Sequence, residues 1–137
     1  MTWNFKLRYA TDASGSWAYT DLSPTTGPTM AAFQTEADIS LALDSNDNLY
    51  AAYTCGASPN RNVCVATNAS GTWTISDITS SSQTGFYPSL SIDSSDYLHI
   101  SYYDGANDDL KYSTNASGSW VHTVSYTHLT LPTKLEV

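Results

Sequence analysis

Aromatic residues, Asp and Asn fall at three neighbouring points of this 137-residue chain: Phe86-Tyr87, Tyr103-Asp104 and Asn107-Asp108-Asp109. Apolar ring faces stack on the carbon skeleton of a sugar, while carboxylates and amides take hydroxyls in paired hydrogen bonds. Phe86, Tyr87, Tyr103, Asp104, Asn107 and Asp108 are therefore the candidate ligand-binding residues, for a glycan or a protein. The plainer alternative packs the rings into the core and leaves the Asp side chains to solvate turns.

Other chemistry is thinner. Asp44-Ser45-Asn46-Asp47-Asn48 has the Asp-x-Asn-x-Asn spacing of a calcium loop. Leu49 stands where that loop needs Gly, and no Glu follows at the twelfth position. Calcium is a second reading of what a strand-to-strand turn already explains, and no cofactor is assigned. No Gly-x-Ser-x-Gly elbow and no Ser-His-Asp order is present. His99 alternates within a strand-like run, so a core or surface histidine is expected there. No catalytic residue is assigned.

The elements that must position these residues come from a repeat. Thr11-Asp12-Ala13-Ser14-Gly15-Ser16-Trp17 recurs as Thr67-Asn68-Ala69-Ser70-Gly71-Thr72-Trp73 and as Thr114-Asn115-Ala116-Ser117-Gly118-Ser119-Trp120. Trp17 and Trp73 are 56 residues apart, Trp73 and Trp120 47. Asp44 and Asp93 occupy equivalent turns 49 apart. Two inserted residues therefore lie between Asp44 and Trp73, near Ser58-Pro59, and seven more in the loop from Ser23 to Met30. The unit is about 47 residues.

Each unit holds four strand-like runs. In the last copy they are Ser89 to Ile92, Tyr97 to Tyr103, Leu110 to Ser113 and Trp120 to Thr123. Asp93 to Asp96, Asp104 to Asp108 and Asn115 to Ser119 link them as turns. The composition agrees. Eleven of the 13 acidic residues are Asp, only Glu36 and Glu136 are Glu, and ten Tyr and four Trp are present. Asp favours turns, and aromatic residues favour strands. The expected class is all-β, and a four-stranded unit of this length fits a propeller blade.

Residues 5–22 supply the last two strands of a blade, 39–78 a whole one and 88–123 another. About two and a half blades result, whereas closed propellers need four or more. Two blade faces are left uncovered, so a partial propeller that self-associates is expected. The net charge of −8 argues against nucleic acid. No apolar run is long enough for membrane insertion.

In each heptad Gly supplies a positive φ, Asp or Asn caps the turn, and Trp packs between blades. Gly15, Trp17, Gly71, Trp73, Gly118 and Trp120 are structural in this reading. Asn68-Ala69-Ser70 and Asn115-Ala116-Ser117 also match the N-glycosylation acceptor pattern, although their role in the turn accounts for both. Aligning the blades puts Cys55 at the position of Asp104 and Cys64 at that of Lys111. One blade should place an ion pair across its hairpin, the other a disulfide. Cys-x8-Cys lacks the paired pattern of a zinc site. Two reduced, buried thiols are the alternative. A disulfide implies an oxidising, extracellular or cell-surface setting.

The heptad's place between third and fourth strands, ending in Trp, resembles the Asp-box of sialidase-type (BNR) propellers, Ser-x-Asp-x-Gly-x-x-Trp. The resemblance covers residues 5–123 and departs in detail. Gly lies two residues before Trp instead of three, and the Asp survives only as Asp12. In that family the box is a structural turn remote from the active face, which implies that function lies on the opposite face. The family's chemistry implies three Arg and a Tyr-Glu pair. Here Arg8 and Arg61 are the two Arg and form no cluster in sequence, and Glu36 has no evident Tyr partner. A non-catalytic bacterial scaffold for binding or structure follows. The alternative is a piece of a sialidase-like glycoside hydrolase whose active residues lie on other blades.

After Thr123 the repeat pattern stops. Asp21-Leu22 and Asp77-Ile78 become Val124-Ser125. Val124 to Thr133 resembles the conceptual translation of a transposon-type sequencing adapter. The implied reading is a propeller portion over residues 1–123 and a non-native tail over 124–137.

Overall fold

A computed structural model describes residues 7–22, 38–56, 60–79 and 85–126. Among them are ten strands and no helix. β1 (Arg8–Thr11) and β2 (Ala18–Asp21) form a hairpin. β3 (Ile39–Leu43), β4 (Leu49–Cys55), β5 (Asn62–Thr67) and β6 (Thr74–Asp77) form one four-stranded sheet. β7 (Phe86–Ile92), β8 (Leu98–Asp104), β9 (Asp109–Thr114) and β10 (Val121–Tyr126) form another. Neighbours in sequence are neighbours in each sheet, and every pairing is antiparallel. The all-β class and the repeated meander are thus as expected. The loop insertion near residues 23–30 and the tail beyond Tyr126 lie outside the described residues.

The two central strands of the middle sheet, β4 and β5, are buried on both faces because both phases of their alternation are apolar. Ala51, Tyr53 and Cys55 of β4, with Cys64 and Ala66 of β5, pack against Leu7 and Leu22 of the hairpin segment. Ala52, Val63 and Val65, with Ile78, pack against Leu90, Leu98, Ile100 and Tyr102 of the third sheet. A strand covered on both sides reads as a continuous apolar run, as Ala51-Ala52-Tyr53 and Val63-Cys64-Val65-Ala66 do. Each fully buried Val or Leu contributes about 1.5–3 kcal/mol. The three sheets are therefore held together chiefly through the middle one.

The three heptads fold alike. The glycines have φ of 85°, 87° and 89°, and each donates its N–H to the carbonyl of Asp12, Asn68 or Asn115. Thr11, Thr67 and Thr114 each accept from the N–H two residues on, at 3.2 Å. That Thr contact, and not the Asn side chain, caps the turn. Asn68 Oδ1 instead accepts from Leu49 N at 2.8 Å, and Asn115 Oδ1 from Leu98 N at 2.8 Å. The amide therefore ties the turn to the start of the second strand of its own sheet.

Two boundaries of the last unit differ from expectation by three residues, the others by at most one. β7 begins at Phe86, not Ser89, because a register shift between Phe86 and Ser89 absorbs Tyr87 and Pro88 into the strand. β10 runs on to Tyr126, again with a register shift after Val124. In the earlier units Leu22 N donates to Leu7 O and Ile78 N to Val63 O, both at 2.8 Å. In the third unit Tyr126, not Ser125, pairs with Leu110. The ladder slips at the position where the sequence pattern stops.

Candidate functional site

Antiparallel connectivity puts the heptads and the Asp44 and Asp93 turns at one end of the sheets. The starts of β5 and β7 and the β8–β9 turn lie at the other. At that second end the aromatic candidates form a row. The Phe86 ring lies 6.3 Å from Tyr87 and 6.2 Å from Tyr103, both tilted. Tyr103 donates its hydroxyl to Asp108 Oδ1. The Arg61 guanidinium sits over the Phe86 ring, 5.6 Å from its centroid. Arg61, Phe86, Tyr103 and Asp108 thus run in sequence from a cation to an anion, with Tyr87 beside Phe86.

Local backbone geometry aims this row. Tyr87 has φ 54° and Asp108 φ 57°, a left-handed conformation uncommon outside glycine. Tyr87 sits in the β7 irregularity, and such bulges re-aim side chains. The residue is 57% exposed. Pro88 is tolerated because β7 is an edge strand. Gly85 anchors the approach to β7. Thr54 Oγ1 donates to its carbonyl at 2.7 Å, and a Cβ on Gly85 would meet Asn62 backbone at 2.2 Å. Only glycine allows the segment to pass this close. The hydrogen bond to Asp108, aided by burial, raises the Tyr103 phenol above its ordinary value, so it stays a neutral donor.

Asp104 and Asn107 take a different place from the one their neighbours suggested. Asp104 is fully buried. Its carboxylate takes Lys111 Nζ at 2.5 Å, Asn107 Nδ2 at 2.8 Å and Ala106 N at 3.0 Å. Burial alone pushes this carboxyl up, but the bonds from Lys111, Asn107 and Ala106 overcome that and hold it below its ordinary value. Asp104 is therefore an internal brace that shapes the β8–β9 turn, and Asn107 is exposed and hydrogen-bonded to it. The strand's alternation accounts for this. Tyr103 points outward, so Asp104 points toward the middle sheet.

Cys55 and Cys64 form a disulfide, with Cα atoms 5.8 Å apart. It occupies the place that the Asp104–Lys111 ion pair occupies in the next sheet. The two members are not directly opposite, as the hairpin reading supposed. Cys55 pairs with Asn62 and Cys64 with Tyr53, while Asp104 pairs with Asp109 and Lys111 with Tyr102. Both links are diagonals on one face, a separation that strand twist shortens.

The calcium-like turn is spent on itself. Asp44 Oδ1 accepts from Asn46 N and Asn48 N, and Oδ2 from Asn48 Nδ2. Among the described residues, the cluster with metal-type spacing is Cys55, Cys64 and Asp77, and its sulfurs are bonded to each other. His99 lies on the outer face of the third sheet, stacked on Tyr112 with ring centroids 5.9 Å apart and 2.8 Å from Asp93.

Three residues were not singled out from sequence. Arg61 joins the row from the neighbouring sheet, and only its position just before β5, at the same end as Phe86, could have pointed to it. Ser113 and His122 form a second polar contact. Ser113 is fully buried, and its Oγ lies 2.5 Å from His122 Nδ1 and 3.2 Å from the Tyr102 hydroxyl. Burial, then the charge of Lys111, lowers the His122 pKa. The sealed Ser113 hydroxyl cannot meet a substrate, and the exposed His122 lies against it from β10.

No protein-family model, curated protein or solved structure matches this chain.

Proposed function

We propose that the chain is a non-catalytic, propeller-type repeat module that binds a carbohydrate outside the cell. The observation that carries this reading is the row of Tyr87, Phe86 and Tyr103 bracketed by Asp108 and Arg61. Its rings offer apolar faces to a sugar ring, and its charged ends offer an acceptor and a donor for hydroxyls. Asp104 and Asn107 hold the turn beneath it. Successive four-stranded antiparallel meanders packed face to face support the propeller-type plan, as does the approach of β7 to β3 and β4. The Cys55–Cys64 disulfide supports an oxidising compartment. Among the described residues no helix is long and apolar enough to cross a membrane.

The test is a glycan array followed by calorimetric titration of any sugar retained. Asp108→Ala removes a charged hydrogen-bond partner and is expected to weaken binding by about ten- to a hundredfold. Tyr87→Ala is expected to weaken it as well. His99→Ala, at the far end of the third sheet, should leave it unchanged. An array without a hit, or a bound sugar indifferent to Tyr87 and Asp108, would overturn the carbohydrate reading. Retention of a protein ligand in its place, sensitive to the same two variants, would keep the site and change its ligand.

A further inference from the structure

The two sheet–sheet contacts inside this chain use the same positions, and the outermost faces carry those positions uncovered. In the first contact Tyr9 of the hairpin meets Trp73, with ring centroids 6.4 Å apart and planes at 51°. Leu7 and Leu22 are buried in the same contact. In the second, Val63, Val65 and Ile78 replace Leu7, Tyr9 and Leu22, and Trp120 replaces Trp73. Carried one unit further, the rear positions become Leu110, Tyr112 and Ser125. Carried one unit back, the front positions Trp73 and Ile75 become Trp17 and Tyr19.

Of these outer residues Trp17, Tyr19, Leu110 and Ser125 are exposed, and Tyr112 is half-buried, stacked on His99. Trp17 and Tyr19 are 64% and 65% exposed, against a half-buried Trp73, and Leu110 is 46% exposed. Ser101 faces outward directly opposite Tyr112, whereas its counterpart Ala52 is fully buried in the internal contact. The front and rear faces thus hold the two halves of one contact that the chain already makes twice.

We infer that copies of this chain associate head to tail, with Trp17 and Tyr19 of one copy packed on Ser101, Leu110 and Tyr112 of the next. Tyr112 takes toward Trp17 the role that Tyr9 takes toward Trp73. The contact is heterologous, so it propagates into rings or open arrays and does not stop at a symmetric pair. The register shift after Val124 displaces Ser125 from the place that Leu22 and Ile78 hold, and Ser125 lacks their aliphatic bulk, which makes this contact weaker than the internal ones. The net charge of −8 opposes association, so raising salt strengthens it. The inference rests on repeat equivalence and is independent of any sugar.

Sedimentation velocity over a range of concentrations tests it, with two variants of the full chain. Trp17→Lys destroys the front face and Ser101→Lys the rear. Both sites are exposed, and an unchanged melting temperature and circular dichroism spectrum confirm that each variant is folded. The wild-type chain should gain mass with concentration. Each variant alone should dissociate at least about tenfold more readily. An equimolar mixture should form a dimer and stop there, since one intact front meets one intact rear. A wild-type chain that stays monomeric throughout overturns the inference. So does association that survives Trp17→Lys, or a mixture that remains monomeric.

Discussion

Asp104 and Lys111 show how one position can be filled by two chemistries. In the middle sheet a covalent bond joins Cys55 to Cys64. In the third sheet an ion pair spans the same diagonal, with Asp104 fully buried and the Lys111 side chain 21% exposed. The disulfide leaves no charge to solvate. The ion pair must retain both partners, because a buried charge without its counter-ion costs more than the pair contributes. Asp104→Ala is therefore expected to destabilise the fold by about 3 kcal/mol, measured as a loss of unfolding free energy in urea. A change below the error of the titration would show that Lys111 reaches solvent freely. A pH dependence follows from His122 and Asp104 taken together. The His122 pKa is lowered from 6.5, so the folded state disfavours its protonation. Its contribution to stability is complete above pH 6.5 and is lost as pH falls from there through the folded value. Asp104 is held below 3.8, so its contribution is present above that value and is lost on further acidification. Melting temperature followed downward from pH 8 should thus begin to fall near pH 6.5, and His122→Gln should remove this first decline but not the later one.

At the scale of elements, the heptad turn is built once and used three times. Its Gly and Thr serve the turn, while Asn68 and Asn115 reach back to Leu49 N and Leu98 N. Asn115→Ala therefore leaves a strand N–H without its acceptor and is expected to cost about 1 kcal/mol. Asn115→Asp keeps an acceptor and should cost less, and thermal melts of the two variants would separate the roles. Most of this architecture was legible in sequence, for a physical reason. Turn residues and period-two alternation are local signals, and a threefold repeat turns each local signal into a comparison. The placement of the cysteines at an ion-pair position came from that comparison alone. Features that depend on contacts between sheets were not legible. Asp104 and Tyr103 are adjacent in sequence, yet one faces the core and the other the surface, and only the phase of β8 decides which. Arg61 joins the aromatic row from another sheet. The bulge at Tyr87 extends β7 by three residues because Pro88 sits on an edge strand, where a missing N–H is tolerated.

For the whole molecule, burial is distributed unevenly, and stability should follow it. β4 and β5 are covered on both faces, with Ala52, Val63, Cys55, Cys64 and Ala66 all fully buried. The hairpin of β1 and β2 is covered on one face only, and every residue of β2 is exposed. Its attachment rests on Leu7, Leu22 and the Tyr9–Trp73 contact, and the Arg8–Asp21 ion pair lies on the open side, where such pairs contribute little. Amide exchange reports the free energy of the cheapest opening that frees each N–H. The hairpin can open by losing one modest apolar contact, whereas β4 and β5 cannot be freed without separating both neighbours. Hydrogen exchange followed by mass spectrometry should therefore show peptides from residues 8–21 exchanging first and those from 49–55 and 62–67 last. The third sheet should lie between, since its inner face is packed and its outer face is open. Equal protection in all three sheets would mean that they unfold as one cooperative unit, and that the hairpin is held by more than the contacts named here. Measured in dilute solution, where copies are separate, this order reflects the internal contacts alone. At higher concentration, a selective gain of protection at Ala18–Asp21 would locate the second copy on the front face.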